Sequence, residues 1–311
     1  MGKRIIVIGS SNTDMIIKLP KIPVPGETCI GGIFCTAAGG KGANQAVAAA
    51  RAGGEVVFVA CVGDDIFGKE AVGGFKRDNI DTDFIKISTG IPSGVALIFV
   101  DEKGENSIAV ASGANANLTP DDIKEAANAF SGADILLMQL ETPLETVKAA
   151  AEKAVKSGIP VILNPAPAKP LGDDILKNIS IITPNETEAE ILTGIKVTDE
   201  LSASKAADIL IGKGIPTVLI TMGSKGVFAV TKGFREMIPS FKVDAVDTTA
   251  AGDVFNGVLA VMLAGNMQLG DAVRIANAAA AISVTRMGAQ PSAPYRKEIE
   301  EFMHEKGWAI F

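Results

Sequence analysis

Arg4-Ile5-Ile6-Val7-Ile8-Gly9 opens the chain with an unbroken apolar run closed by glycine. A strand with one wet face alternates apolar and polar residues, whereas a strand covered on both faces reads as a continuous run. The opening therefore predicts a buried strand of a parallel sheet. Similar short runs recur at 56–62, 135–139, 161–164, 179–183 and 217–221. Helical periodicity separates them at 66–77, 144–156, 186–192 and 201–211. Alternating strands and helices predict an α/β fold, with a mainly parallel central sheet covered on both faces.

Two stretches interrupt this rhythm. Extended pieces at 15–19 and 28–34 flank Pro20, Pro23, Pro25 and Gly26, and the next helix begins only near Gly42. A hairpin follows at 94–100 and 107–111 around the Asp101–Glu105 loop. The two insertions, about 14–38 and 92–112, are expected to pair into a small β-sheet lid. Further on, residues 81–88 read as extended, 122–130 as a helix capped near Thr119-Pro120, and 227–230 with 236–239 as antiparallel strands. The last third reads as helices at 254–264, 269–285 and 295–304. With no repeat or linker, 1–311 is expected to form a single domain.

Composition narrows the chemistry. The net charge of −7 and only 15 aromatic residues (13 Phe, 1 Trp, 1 Tyr) argue against a nucleic-acid partner. No run approaches the ~18 apolar residues that span a bilayer, so no membrane partner is expected. The first apolar run is too short for a signal-peptide core, so a cytoplasmic location is expected. Cys29, Cys35 and Cys61 form no CxxC and read as reduced thiols. The single His304 excludes a Ser-His-Asp triad or a histidine-rich metal site.

Candidate chemistry sits at strand ends and helix starts. Gly63 to Lys69 has P-loop spacing, but Glu70 replaces the magnesium-binding hydroxyl and Asp64 and Asp65 would repel phosphate. Gly9-Ser10-Ser11-Asn12 lacks the dinucleotide glycine pattern. Ala250-Ala251-Gly252-Asp253 opens a helix with small residues, so free N–H groups can face an anion and Asp253 can accept a hydroxyl proton. Equally, Asp253 can simply complement the helix dipole. Asn12 and Asp14, two apart after the first strand, share a face. Gly39-Gly40-Lys41-Gly42-Ala43-Asn44 adds glycines, a lysine and an amide suited to sugar hydroxyls, or forms a tight turn. Asn185-Glu186-Thr187-Glu188 suits hydrated Mg²⁺ or makes an ordinary acidic first turn. Residues 221–226 read as a hairpin or as a nucleotide-phosphate contact.

These segments, in this order, resemble the ribokinase branch of the pfkB carbohydrate kinases. The two family signatures correspond to GGKGANQAVAAARAGG (39–54) and DTTAAGDVFNG (247–257), supported by GSSNTD, NPAPA, NETE and TRMGAQPS. Val258 departs from the family's usual smaller residue. The resemblance, from Arg4 to about Phe302, implies a ribokinase-like three-layer α/β/α fold. It implies phosphorylation of D-ribose at O5 by ATP, giving ribose 5-phosphate and ADP. A deoxyribose, fructose or nucleoside kinase, or a non-catalytic sugar-binding regulator, is the alternative.

Matching positions imply that Asn12, Asp14, Gly40, Lys41, Asn44 and Glu141 line the sugar pocket. Asp253 would be the base, ionised without special tuning, and the N–H groups of Ala250, Ala251, Gly252 and Asp253 the anion hole. Asn185, Thr221, Gly223, Ser224, Gly226 and Gly252 would meet nucleotide phosphates, Asn277 the adenine, and Glu188 would hold Mg²⁺ through water. Asp247, Thr249, Ser283, Arg286, Gly288 and Ser292 would supply potassium ligands. The lid would pair two subunits into a homodimer. Nine glycines in these segments (Gly9, Gly39, Gly40, Gly42, Gly223, Gly226, Gly252, Gly257 and Gly288) are expected where backbone approaches a ligand.

Overall fold

A computed structural model describes residues 3–308. Along the chain the strands are β1 (Arg4–Ile8), β2 (Asn12–Lys18), β3 (Ile33–Gly39), β4 (Glu55–Gly63), β5 (Ile85–Ser88), β6 (Gly94–Val100), β7 (Asn106–Ala111), β8 (Ile135–Met138), β9 (Val161–Leu163), β10 (Ile181–Ile182), β11 (Thr217–Thr221), β12 (Val227–Thr231) and β13 (Phe234–Ile238). The helices are α1 (Lys41–Arg51), α2 (Ile66–Arg77), α3 (Pro120–Glu125), α4 (Leu144–Lys156), α5 (Asp173–Leu176), α6 (Glu186–Thr193), α7 (Glu200–Gly212), α8 (Ala251–Ala264), α9 (Leu269–Ser283) and α10 (Arg296–Glu305). No helix among the described residues is long and apolar enough to cross a membrane.

The opening run sits in the middle of the large sheet, whose order is β13-β12-β11-β10-β9-β8-β1-β4-β5. Pairing is parallel from β11 to β5 and antiparallel only at the β11-β12-β13 edge. Side chains of a strand alternate between faces, and β1 feeds two cores. Ile6 and Ile8 pack with Ile123, Val147 and Leu210 on one side, and Ile5 and Val7 with Ala46, Val258 and Ala276 on the other. That is a three-layer α/β/α arrangement, as expected. After β1 the chain builds toward β4 and then returns to β8 on the opposite side. The resulting switch point opens a crevice at the carboxyl ends of β1 and β8.

The two interruptions do pair into a second sheet, in the order β3-β2-β6-β7. Opposed residues share a face, so the register places Asp14, Ile16, Ile33, Ile98, Ile108 and Val110 on one side. Asn12 and Asp14 belong to β2 of this sheet rather than to the end of β1. Their shared face was correctly expected, but on a different strand. β3 starts at Ile33 rather than at 28 because Gly31 and Gly32 both have positive φ, 108° and 96°, which breaks extended pairing. The helix expected over 122–130 is α3 followed by a 3₁₀ segment over Ala126–Phe130, and β10 is shorter than the expected 179–183, with Ile179 N turned back to Leu176 O.

Several glycines expected at the ligand also serve packing. A Cβ on Gly9 would lie 2.1 Å from Gln139 Oε1, one on Gly42 would lie 2.5 Å from Ser10 N, and one on Gly226 would lie 2.1 Å from Ile238 O. On Gly257 it would lie 2.6 Å from Gln45 O and 2.9 Å from Ala49 N. Backbone on backbone leaves nothing soft to yield, so this glycine sets how closely α8 approaches α1. Gly257→Ala is expected to destabilise the fold by about 1–3 kcal/mol, the usual cost of overpacking. Urea unfolding of the two proteins measures this, and equal midpoints would show that α1 and α8 can separate freely.

Candidate active site

The start of α8 is shaped by Ala250, which adopts a left-handed conformation at φ 60° and turns the chain into the helix. First-turn N–H groups have no intrahelical acceptor. That of Ala251 donates to Thr248 O at 3.3 Å, so it is partly withdrawn from the expected anion hole, while those of Gly252 and Asp253 have no partner among the described residues. A Cβ on Gly252 would meet nothing within 4 Å. Gly252 faces a cavity of about 800 Å³ whose lining includes Asn185, Thr221, Gly223, Ser224, Gly226 and Asn277. The structure thus brings together every residue expected to contact nucleotide.

One residue on, Asp253 is buried at 6% exposure. Asn44 Nδ2 donates to its Oδ2 at 3.0 Å and Gln45 Nε2 to its Oδ1 at 2.9 Å, both from the first turn of α1. Burial pushes its pKa up against the opposing pull of Lys41, Asn44 and Gln45. The expectation of an untuned carboxylate is therefore corrected: desolvation makes Asp253 a stronger base than a surface aspartate.

The residues expected at the sugar lie beside it. Glu141, just beyond β8, accepts from Ser10 Oγ at 2.5 Å and from the Lys41 N–H at 3.0 Å, tying the ends of β1 and β8 to α1. Gly40, at φ 89°, makes the turn into that helix, and its absent Cβ would strike Asn12 N at 2.7 Å. Asn12 Oδ1 accepts from Asn115 Nδ2 at 2.7 Å. Burial, then Glu141 and Asp253, push the Asp14 carboxyl up to about 6, with Lys41 opposing. Burial works against the Lys41 charge, but Asp253, Glu141, Glu188 and Asp14 together raise its pKa. Four carboxylates around one ammonium leave a negative site that favours positive counter-ions before it admits phosphate.

Asn185 and Glu188 cap α6 reciprocally: Asn185 Oδ1 accepts from Glu188 N at 2.8 Å, and Glu188 Oε2 from Asn185 N at 2.9 Å. The reading as an acidic first turn thus holds; Glu188 Oε1 has no hydrogen-bond partner among the described residues, and burial raises the carboxyl's pKa. No cluster of three or more His, Cys, Asp or Glu fit for a metal occurs among the described residues. A hydrated ion sharing one carboxylate with phosphates fits such a donor set, as Mg²⁺ prefers. Residues 221–226 form the β11–β12 hairpin turn, and Thr221, Gly223, Ser224 and Gly226 line the cavity. Asn277 Nδ2 donates to Ile238 O and Pro239 O, bracing the cavity wall.

Asp247 stitches two loops: Oδ1 accepts from Thr249 N at 2.9 Å and Oδ2 from Gly288 N at 2.8 Å. Burial opposes its charge, but the Thr249 hydroxyl and these N–H groups prevail and hold its pKa low. Val246 N and Asp247 N donate to Val284 O, next to Ser283. Arg286 pairs with Glu298, and the Ser283 and Ser292 hydroxyls donate to Ala280 O and Ala289 O. The oxygens these residues carry, carboxylate, hydroxyl and carbonyl, are of the kind a large monovalent cation takes.

A family model described as pfkB family carbohydrate kinase matches residues 3–296. The chain belongs to this family. It is 50% identical to a ribokinase from Haemophilus influenzae over 97% of this chain and 99% of that protein. It is 40% identical to a deoxyribokinase from Salmonella typhi, covering 96% and 98%. Among solved structures, an Arabidopsis thaliana ribokinase described as complexed with ribose and ATP has a TM-score of 0.90 at 32% identity, covering 97% of this chain and 99% of that one. Within this kinase fold, Gln45, Gln139, Asn164 and Asn115 are site-bordering amides that sequence reading missed. Only their proximity to signature residues hinted at them.

A carboxyl whose folded pKa exceeds its unfolded value makes stability fall as pH rises from the unfolded toward the folded pKa. Between about 3.8 and about 6, ionising Asp14 therefore costs stability. Asp14→Asn is expected to stabilise the ligand-free protein at pH 7 by on the order of 1–3 kcal/mol, with little gain at pH 4. Thermal melts at both pH values check this, and a lower melting temperature at pH 7 would contradict it.

Proposed function

We infer that this chain phosphorylates D-ribose at O5 with ATP, releasing ribose 5-phosphate and ADP. One observation carries this reading. The buried Asp253 carboxylate meets the sugar-side side chains of α1, while the free N–H groups beside it face the nucleotide cavity.

Asn12, Asp14, Lys41, Asn44 and Glu141 offer the mixed donors and acceptors that sugar hydroxyls need, with Gly40 allowing close approach. Asp253 takes the O5 proton as oxygen attacks the γ-phosphorus and the bond to the bridging oxygen of ADP breaks. Charge spreads over the equatorial oxygens in a loose transition state, and the N–H groups of Gly252 and Asp253, with Ala250 and Ala251 shaping the turn, receive it. Asn185, Thr221, Gly223, Ser224 and Gly226 suit the phosphates and Asn277 the adenine side. Glu188 would hold magnesium through water, supplying charge neutralisation to the phosphates. Asp247, with Thr249, Ser283, Arg286, Gly288 and Ser292, would hold potassium, supplying positive charge to the loop that leads into α8. An ATP-dependent reaction fits a cytoplasmic location.

Together the chain forms one domain carrying β2, β3, β6 and β7 as a lid. Ile33 (69% exposed), Ile108 (55%) and Val110 (52%) lie on the face that carries Asp14. Isolated exposed apolar residues are ordinary, but a contiguous stripe marks an interface. A second copy seated there would form a homodimer at the edge of the sugar pocket. Ile108→Asp should shift the protein from dimer to monomer in sedimentation; a monomeric parent would refute the dimer.

Asp253→Asn should lower kcat by about 10²-fold or more, the range for a lost general base, while keeping ribose affinity. Near-normal turnover would remove Asp253 from this role. Similarity to a deoxyribokinase gives the competing substrate. In an ADP-release assay, kcat/KM for ribose should exceed that for 2-deoxyribose at least about tenfold, since a site that bonds a hydroxyl leaves its own groups unpaired when that hydroxyl is missing. Activity in K⁺ should exceed activity in a large inert cation.

A further inference from the structure

Behind Asp253 runs a closed circuit of buried amides. Gln45 Nε2 donates to Asp253 Oδ1 at 2.9 Å and to Asn164 Oδ1 at 3.0 Å, and Gln45 Oε1 accepts from Gln139 Nε2 at 2.6 Å. Asn164 Nδ2 donates to Thr183 O at 3.2 Å, and Thr183 Oγ1 to Asn256 Oδ1 at 2.7 Å. Asn256 Nδ2 closes the loop on Gly252 O at 2.8 Å. Gln45, Gln139, Asn164, Thr183 and Asn256 are between 0% and 6% exposed, so no water competes for these bonds.

Both ends of the circuit fall on adjacent residues of the reacting site. One end fixes the base oxygen, and the other fixes the peptide plane that precedes the Asp253 N–H. A carboxylate is acceptor-only, so the Gln45 amide has one workable orientation, with both N–H donors and its oxygen in use. We propose that Gln45 is a positioning residue for phosphoryl transfer, and that the ring through Asn164, Thr183 and Asn256 locks the base and the anion hole into one rigid unit. This rests on Asp253 as base.

A hydrogen bond to the charged form favours it, so removing Gln45's donor leaves Asp253 harder to ionise. Gln45→Leu should cut kcat by about tenfold to 10²-fold, the cost of a slight misplacement. The KM for ribose should stay within about twofold, because Asn12, Asp14, Lys41 and Asn44 are untouched. The acidic limb of the kcat–pH profile should move to higher pH, which a purely structural lesion would not do. Thr183→Val breaks the ring away from Asp253, so kcat should fall several-fold with the limb unmoved. Folding of each variant is checked by circular dichroism and melting. A folded Gln45→Leu with kcat within twofold of the parent and an unmoved limb overturns the proposal. If that variant does not fold, unchanged kcat in Thr183→Val overturns it. Failure of the parent protein to phosphorylate ribose would instead refute the underlying activity, so the two failures are distinguishable.

Discussion

The contact between the first turns of α1 and α8 is the constraint on which the rest depends. There, Asn44 and Gln45 grip the two oxygens of Asp253, and Gly257 lets the helices approach until a methyl group would no longer fit. An aspartate alone in an apolar interior would take up a proton, since burying an unpaired charge is costly. The two amides and nearby Lys41 keep ionisation within reach, while desolvation raises basicity. The helix start must therefore be small, tightly packed and poor in competing acceptors.

Around that contact the site is electrically unfinished. Asp14, Glu141, Glu188 and Asp253 surround Lys41, and their mutual repulsion makes the empty pocket a strained arrangement. Locating this cluster at the switch point between β1 and β8 follows from the sheet order, because there the chain connections leave in opposite directions.

Much of this was legible in the sequence. Unbroken apolar runs identified the central strands, and α2 and α4 were bounded to the residue, because hydrophobic period and flanking polar residues agree there. The lid strands β6 and β7 were marked by their loop, whereas β3 was misplaced because paired glycines at positive φ look no different in sequence from other glycines. The residues expected at the nucleotide stand at strand ends and helix starts and, for Asn277, within α9, and all line one cavity. Gln45, Asn164 and Asn256 escaped notice because a buried amide declares its role only through partners brought near by folding, 119 residues apart for Gln45 and Asn164 and 208 for Gln45 and Asp253. Four site glycines, Gly9, Gly42, Gly226 and Gly257, have a packing reason that the sequence did not declare.

The most direct measurement is ³¹P NMR of the complete protein incubated with ribose, ATP, Mg²⁺ and K⁺. The account predicts a new phosphomonoester resonance coupled to the C5 protons of ribose, growing in equal amount with ADP. ADP with inorganic phosphate alone, or no consumption of ATP, would contradict it.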